Sequence, residues 1–196
     1  MTTTAFRDPR ARRTLERLRA AMVTLMATKN LDEIGVAELC REAGVHRTTF
    51  YKHFTSVTGF ATHVFTGLLD ELASVDAEEE AASSEELALT YPVAFGAVFR
   101  HVLQERETYR RLLSANGDAV FQRIVAERMV ARASATLRIL EERGIAPAVD
   151  PMTAAGMIGM SITGALAAWA VSDSDDVERH TQDVLTCLPT WWPRTA

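Results

Sequence analysis

The sequence predicts an all-α fold in two parts, a helix-turn-helix three-helix domain over residues 1–56 and a helical bundle over residues 57–196. Three observations lead there. Apolar residues recur at helical spacing in successive segments of the 196-residue chain. Two short helical segments near the N-terminus are separated by a single glycine, Gly44. Charge is divided unevenly: residues 1–60 hold 10 Lys and Arg against 6 Asp and Glu, and residues 61–196 hold 11 against 20. The overall charge of −5 thus joins a head at +4 to a remainder at −9. Such a division suits a domain that touches nucleic acid attached to one that does not. By itself the excess is modest, and it gains meaning only with the motif below.

The elements follow in order. Residues 1–7 read as an arm, and Asp8-Pro9 as a helix start. From Arg10 to Thr28 the set Leu15, Leu18, Met22, Val23, Leu25 and Met26 marks an amphipathic helix, with Arg10, Arg12, Arg13, Arg17 and Arg19 on its outer side. Lys29 to Gly35 is a connecting turn. In the next helix Val36, Leu39, Cys40 and Ala43 share one face, and Gly44 ends it, since glycine enters the left-handed region without a Cβ clash. His46 to His53 then forms a short helix crowded with donors: His46, Arg47, Thr48, Thr49, Tyr51, Lys52 and His53. Phe50 and Phe54, four apart, point inward. Two short helices at a sharp angle, the second polar, have the geometry that places a helix in a DNA major groove.

The run AGVHRTTFYKHF resembles the helix-turn-helix signature of the TetR family of transcriptional regulators, as does its position near the N-terminus. The resemblance covers about 50 residues, Arg10 to Phe60, at the level of motif; beyond them only length and helical layout agree. It implies base-edge contacts from Arg47 and Thr48, phosphate contacts from Thr49, Tyr51 and His53, and groove or backbone contact from Lys52. It also brings the start of the first helix near the DNA backbone, which makes Arg10, Arg12 and Arg13 phosphate candidates; a solvated arginine face accounts for them equally well. The chemistry of the side chains agrees. An arginine donates two bonds to guanine O6 and N7, and a threonine methyl can meet a thymine methyl. Hydroxyl and imidazole N–H groups position a helix on phosphates without reading sequence. Two positions depart from the family pattern. Gly35 stands where the family usually has a capping Thr, and Val57 where it usually has a Lys. Each removes a phosphate donor, although Ser56 can cap the third helix and the helix N-terminus itself attracts anions.

The third helix runs on from about Ser56 to Val75, with Phe60, Val64, Phe65, Leu68, Leu69 and Leu72 at helical period. It belongs to both domains and can carry a signal between them. Asp76 to Glu86 is acidic and reads as a loop or a solvated helix end. Leu87 to Glu107 is helical, with Pro92 near its start. Tyr109 to Leu113 is a short helix, Asn116-Gly117 a turn, and Asp118 to Arg143 a long helix ended by Gly144 and followed by Pro147. Between Asp150 and Asp173 lie 22 residues without a charge, Pro151 to Ser172. About 20 apolar residues can span a bilayer. This run is mostly Ala, Gly, Ser, Thr and Met, and it is flanked by Asp150 and by Asp173, Asp175 and Asp176, so a helix buried on most sides is the better reading and no membrane is expected. Ala155, Gly159, Thr163 and Ala167 form a stripe of small residues along it. Val177 to Leu188 is a last helix stopped by Pro189, and Trp191 and Trp192 follow.

The resemblance implies a homodimer formed through the last two long helices, a role the small stripe fits, though packing within the chain selects the same residues. It also implies an apolar effector pocket in the bundle. Phe65, Phe95, Phe99, Tyr109, Met129, Met160 and Trp169 are the candidates, with Phe121 and Met157 beside them. For each, a place in the core is the commoner role. His63, Tyr91 and His101 are polar candidates in the same region.

Cys40 and Cys187 stand far apart and form no CxxC pair, so neither a disulfide framework nor a zinc site is implied. The first ten residues lack the apolar run of a signal peptide, and a cytoplasmic location is expected. No nucleotide-binding glycine pattern, HExxH or GxSxG is present, and no enzyme, cofactor or metal is expected. The expected function is a repressor that binds a palindromic operator in double-stranded DNA as a homodimer and is released by a small apolar effector. An activator of the same architecture, or a helical adaptor whose motif binds protein, remain the alternatives.

Overall fold

The computed structural model describes residues 9–73, 84–115, 117–145 and 148–193, with side chains at all of these except 68–73 and 84–89. The arm at residues 1–7 and Asp8, the acidic stretch up to residue 83, Asn116, Pro147, and the side chains of Leu68, Leu69 and Leu72 lie outside the described residues. The described chain is all-helical, with no strand: α1 (Pro9–Met26), a 3-10 turn (Leu31–Glu33), α2 (Val36–Ala43), α3 (Arg47–Tyr51), α4 (Val57–Ala73), α5 (Ser84–Gln104), α6 (Arg106–Leu113), α7 (Ala119–Glu142), α8 (Pro151–Val171) and α9 (Val177–Cys187).

The head closes around Leu18, Met22 and Met26 of α1, Leu39 and Cys40 of α2, Phe50 of α3 and Phe60 of α4, all buried. Burying a side chain of this size contributes about 1.5–3 kcal/mol. That matters most for α3, which at five residues is far too short to hold itself. Phe50 meets Phe54 at 5.7 Å and Phe60 at 6.0 Å, and Phe54 meets Phe60 at 5.0 Å. These three rings fix the orientation of α3. Val57, at the first position of α4, is buried in the same cluster. A lysine ammonium there would leave water, so the valine trades a phosphate donor for core.

In the body, α8 packs along α7 and rests on α6 and α5, while α9 lies on α5. The two helices come close at Gly159, where an added Cβ would stand 2.5 Å from the Val130 Cα and N of α7. No side chain fits there without parting the helices. By length and composition alone α8 could cross a membrane, yet its face with Ala155, Ile158, Leu166 and Trp169 is buried inside the chain. Capping follows side-chain chemistry. Asp118 accepts from Phe121 N at 2.7 Å at the start of α7, and Asp150 accepts from Thr153 N at 2.8 Å at the start of α8.

Two boundaries differ from the sequence expectation. Pro92 lies inside α5, two turns after its start at Ser84, so it withholds a backbone donor from an established helix. Helix α5 also ends sooner, at Gln104, and Glu105 with φ −111° and ψ 31° begins α6. That break turns Thr108, Tyr109, Leu112 and Leu113 of α6 into the core.

Candidate nucleic-acid interface and cavity

The turn between α2 and α3 is built by Gly44, at φ 60° and ψ 39°. Its N–H bonds to Arg41 O at 3.1 Å, and Val45 N–H reaches back to Cys40 O at 2.9 Å, which satisfies the last carbonyls of α2. The Gly44 carbonyl accepts from Arg17 Nη2 at 3.0 Å, so α1 clamps the corner from behind. A Cβ at Gly44 would stand 2.5 Å from that Arg17 nitrogen. His46 is the N-cap of α3, which makes the polar helix three residues shorter than the sequence run suggested. Arg47, Thr48, Tyr51 and Lys52 are exposed along with His46, and Tyr51 keeps 51 % of its surface in water. Thr49 and His53 are half-buried. Beneath the helix, burial pushes the Cys40 thiol up despite the opposing pull of Arg47, so it stays an inert core thiol.

The arginines of α1 divide by task. Arg10, Arg12 and Arg13 occupy its first turns and are exposed; Arg12 lies 3.6 Å from Glu16. Arg17 holds the Gly44 corner. Arg19 reaches Glu105 at 2.8 Å and ties the head to the α5–α6 junction. A second tie comes from Arg111 of α6, which donates to Ala27 O at 3.0 Å and to Asn30 Oδ1 at 3.4 Å. Between these ties and α4, Tyr109 is fully buried against Phe65 at 5.8 Å, and its hydroxyl lies 3.0 Å from His101 Nε2. Burial raises the Tyr109 phenol far above its usual value. Burial also lowers His101, with Arg19 adding to the effect and Glu105 opposing it.

A partly open cavity of about 160 Å³ lies between α5, α7, α8 and the C-terminal tail. Phe95 and Met129 line it, as does Tyr91. Phe65, Phe99, Tyr109 and Trp169 do not; they are fully buried core residues. Trp169 donates to Phe99 O at 2.8 Å and is stacked at 4.6 Å by His180, which explains its place. Met160 is 56 % exposed on the outer face of α8 and does not line the cavity. Ile162, Thr136, Arg132 and Trp192 also line it. The Tyr91 and Thr136 hydroxyls lie 2.6 Å apart.

The small stripe of α8 does not stay on one face. Residues four apart on a helix of 3.6 residues per turn drift about 40° per step. Ala155 and Gly159 are therefore buried against α7, while Thr163 and Ala167 are half-buried at the edge. The outward face carries Met157, Met160, Gly164, Ala168 and Val171 instead.

Residues 18–60 match the family model described as bacterial regulatory proteins, tetR family. The head belongs to the tetR family. No curated protein matches the chain in sequence. Among solved structures, the chain is similar to a candidate TetR-family transcriptional regulator from Syntrophomonas wolfei, with TM-score 0.70 and 15% identity over 89% of this chain and 92% of that one. It is similar to the TetR transcriptional regulator from Streptococcus agalactiae, with TM-score 0.61 and 20% identity over 90% and 94%. It is also similar to the transcriptional regulator FadR from Bacillus subtilis in complex with stearoyl-CoA, with TM-score 0.65 and 18% identity over 90% and 98%. The tetR-family head and the body thus follow one shared fold.

The motif residues named from the sequence come together on α3 and its two ends, His46 before it and Lys52 and His53 after it. Sequence reasoning missed Arg17, Arg19, Glu105 and Arg111 as ties, because their partners lie 27 to 86 positions away. Trp192, which follows the last helix in sequence, packs on Tyr91 with ring centroids 5.4 Å apart and lines the cavity.

Proposed function

We propose that this tetR-family regulator is a repressor that binds a palindromic operator as a homodimer and leaves it when a small effector enters the α5–α7–α8 cavity. The observation that carries this is α3 itself. Phe50 is its buried root, and Arg47, Thr48, Tyr51 and Lys52 stand outward with His46. Arg47 and Thr48 read base edges, while Thr49, Tyr51, Lys52 and His53 hold phosphates together with Arg10, Arg12 and Arg13. Residues 1–56 do the reading, and residues 57–196 bind the effector and the second subunit.

The dimer forms through the outward face of α8. Met157 is 68 % and Met160 56 % exposed there, and the neighbouring Gly164 and Ala168 let a second helix come close. A two-fold dimer presents two α3 helices to successive major grooves about 34 Å apart. That the similar FadR from Bacillus subtilis is found in complex with stearoyl-CoA supports a body that takes up a small molecule.

Release has two routes. Helix α4 joins head to body by Val57 and Phe65, both buried. Helix α5 carries Tyr91 and Phe95 at the cavity and ends at Gln104, beside Glu105, which Arg19 grips. Ten residues separate Phe95 from Glu105, about 15 Å along the helix. A ligand that shifts Phe95 moves the far end of the same rod and turns the head.

The test is a gel shift and footprint with DNA flanking the protein's own gene, repeated over a salt series. Specific protection with two-fold symmetry, and an affinity that falls steeply with salt, is the expected result. Retention on protein partners with no salt-dependent DNA binding would overturn the reading in favour of an adaptor.

A further inference from the structure

We infer that the effector of this regulator is an uncharged hydrocarbon of single-ring size, about that of toluene, held by shape and apolar contact with no hydrogen bond to the cavity wall. The inference rests on the effector-released reading above and adds the size, charge and bonding of the ligand.

Size sets the first limit. Drug-sized ligands take up pockets of about 300–1,000 Å³. The cavity between α5, α7, α8 and the tail is about 160 Å³, close to the roughly 150 Å³ that holds one benzene molecule. A long acyl chain fills that space with its first few carbons. The rest of it stays in water, where the wall contributes nothing.

Polarity sets the second limit, because the wall has no free donor to offer. Thr136 Oγ1 donates to Arg132 O at 3.2 Å, so it accepts from the Tyr91 hydroxyl 2.6 Å away, and both protons are used. The Trp192 indole nitrogen is closed off from water. Arg132, the one charged residue that lines the cavity, already has an interaction of its own within the chain. An ionised group brought from water into such a site loses its hydration with nothing to replace it. The remaining wall is apolar, with Phe95 from α5, Met129, Ala133 and Ile139 from α7, and Ile162 from α8. Burial of apolar surface is then the driving force for binding.

Shape favours a ring. Tyr91 stands 6.2 Å from Phe95 and 5.4 Å from Trp192, and all three line the cavity. Aromatic rings pair offset or edge-on at about 4.5–7 Å between centroids, so a further flat ring extends this group. The thioether chain of Met129 adapts to its outline. Ile162 is the residue by which α8 bounds the space, and it is buried.

The experiment is calorimetry on the full-length protein with toluene, benzoate and palmitate, alongside operator binding with and without toluene. Toluene is expected to bind saturably and to weaken operator binding. It should bind at least tenfold tighter than palmitate, and than benzoate, which has the same ring and a charge. Ile162→Val removes one methylene from the wall, and ethylbenzene carries one methylene more than toluene. A methylene in an apolar pocket changes affinity by about 10–200-fold. The variant should therefore raise the ratio of ethylbenzene to toluene affinity at least threefold, a change that loss of folding would not produce. Benzoate or palmitate binding as tightly as toluene, no saturable toluene binding, an unaltered ratio in Ile162→Val, or an operator held as tightly with toluene as without it would each overturn the inference. Operator binding keeps the two readings apart. If the ligand-free protein binds its operator and toluene fails, the effector class falls alone. If no operator is bound, the regulator reading falls, and the effector role with it.

Discussion

Replacing Gly159 by alanine and, one turn away, Gly156 by alanine makes the same chemical change against opposite surroundings. At Gly159 the new Cβ would stand 2.5 Å from Val130 Cα and N, and 2.7 Å from Val130 Cγ2. Two of these are backbone atoms, which cannot swing aside. Reaching 3.4 Å, where ordinary contact begins, requires α7 and α8 to part by about 0.9 Å. Overpacking of this kind costs about 1–3 kcal/mol. Alanine in place of glycine within a helix returns about 0.5–1 kcal/mol. With two backbone atoms in the way the cost lies in the upper part of its range, about 2–3 kcal/mol, so the net expectation for Gly159→Ala is a loss of about 1–2.5 kcal/mol, which lowers the melting temperature by about 2–10 °C for a chain of this size. At Gly156 nothing lies within 4 Å of the added Cβ. Only the helix term remains, and Gly156→Ala should gain about 0.5–1 kcal/mol, a rise of about 1–4 °C. The assay is thermal melting followed at 222 nm, with all proteins at one concentration. A Gly159→Ala protein that melts at or above the parent, or two variants that shift in the same direction, would refute the packing of α7 on α8. The same variant should also disturb ligand binding, because Met129 and Thr136 of α7 face Ile162 of α8 across the cavity.

Other outcomes follow from the head, its ties and its histidines. Arg47→Ala should cost about 1–3 kcal/mol on the operator and little on random DNA, whereas Tyr51→Phe should weaken both alike; anisotropy titrations at fixed salt distinguish the two, and equal losses for Arg47→Ala would remove its base-reading role. Glu105→Gln should leave the melting temperature within about 1–3 °C, since the bridge to Arg19 is partly exposed, yet reduce the effect of effector on operator affinity; unaltered coupling would take this tie out of the signal path. Burial lowers His63, His101 and His180 below the ordinary 6.5. The native state therefore prefers them neutral, and the unfolded chain takes up protons first. Stability is complete above pH 6.5 and falls as the pH drops below it, by at most about 1.4 kcal/mol per histidine per pH unit. His180→Phe keeps a ring against Trp169 and should flatten part of that slope in melts from pH 8 to 5; an unchanged slope would show that His180 does not contribute.

The head was legible because its information is local. Glycine at 44, apolar spacing over Val36–Ala43 and the Phe50–Phe54 pair lie within 19 residues and specify both turn and faces. The exposure of Arg47, Thr48, Tyr51 and Lys52 around a buried Phe50 was legible for the same reason. Long-range choices were not. Arg17 shares a helix face with Arg10 and Arg13 and Arg19 lies about half a turn round, and only folding shows that Arg17 holds Gly44 O and Arg19 holds Glu105. The small stripe misled because a four-residue repeat in sequence is a slow spiral in space, so Ala155 and Gly159 went inward and Met157 and Met160 outward. Cavity and core could not be separated by residue type. Phe95 and Phe99 sit one turn apart on α5, the first lining the cavity and the second fully buried.

The brevity of α3 has a thermodynamic consequence. A five-residue helix has no stability of its own, so the surface proposed to meet DNA exists only while Phe50, Phe54 and Phe60 are packed together. Any local opening of that aromatic cluster erases the recognition surface all at once. By mass action, an operator bound to that surface would draw the head out of its opened forms, by about 2.7 kcal/mol at a hundredfold excess over its dissociation constant. Slower amide exchange at Phe50 and Phe60 on adding operator would be the trace of DNA acting as a folding partner.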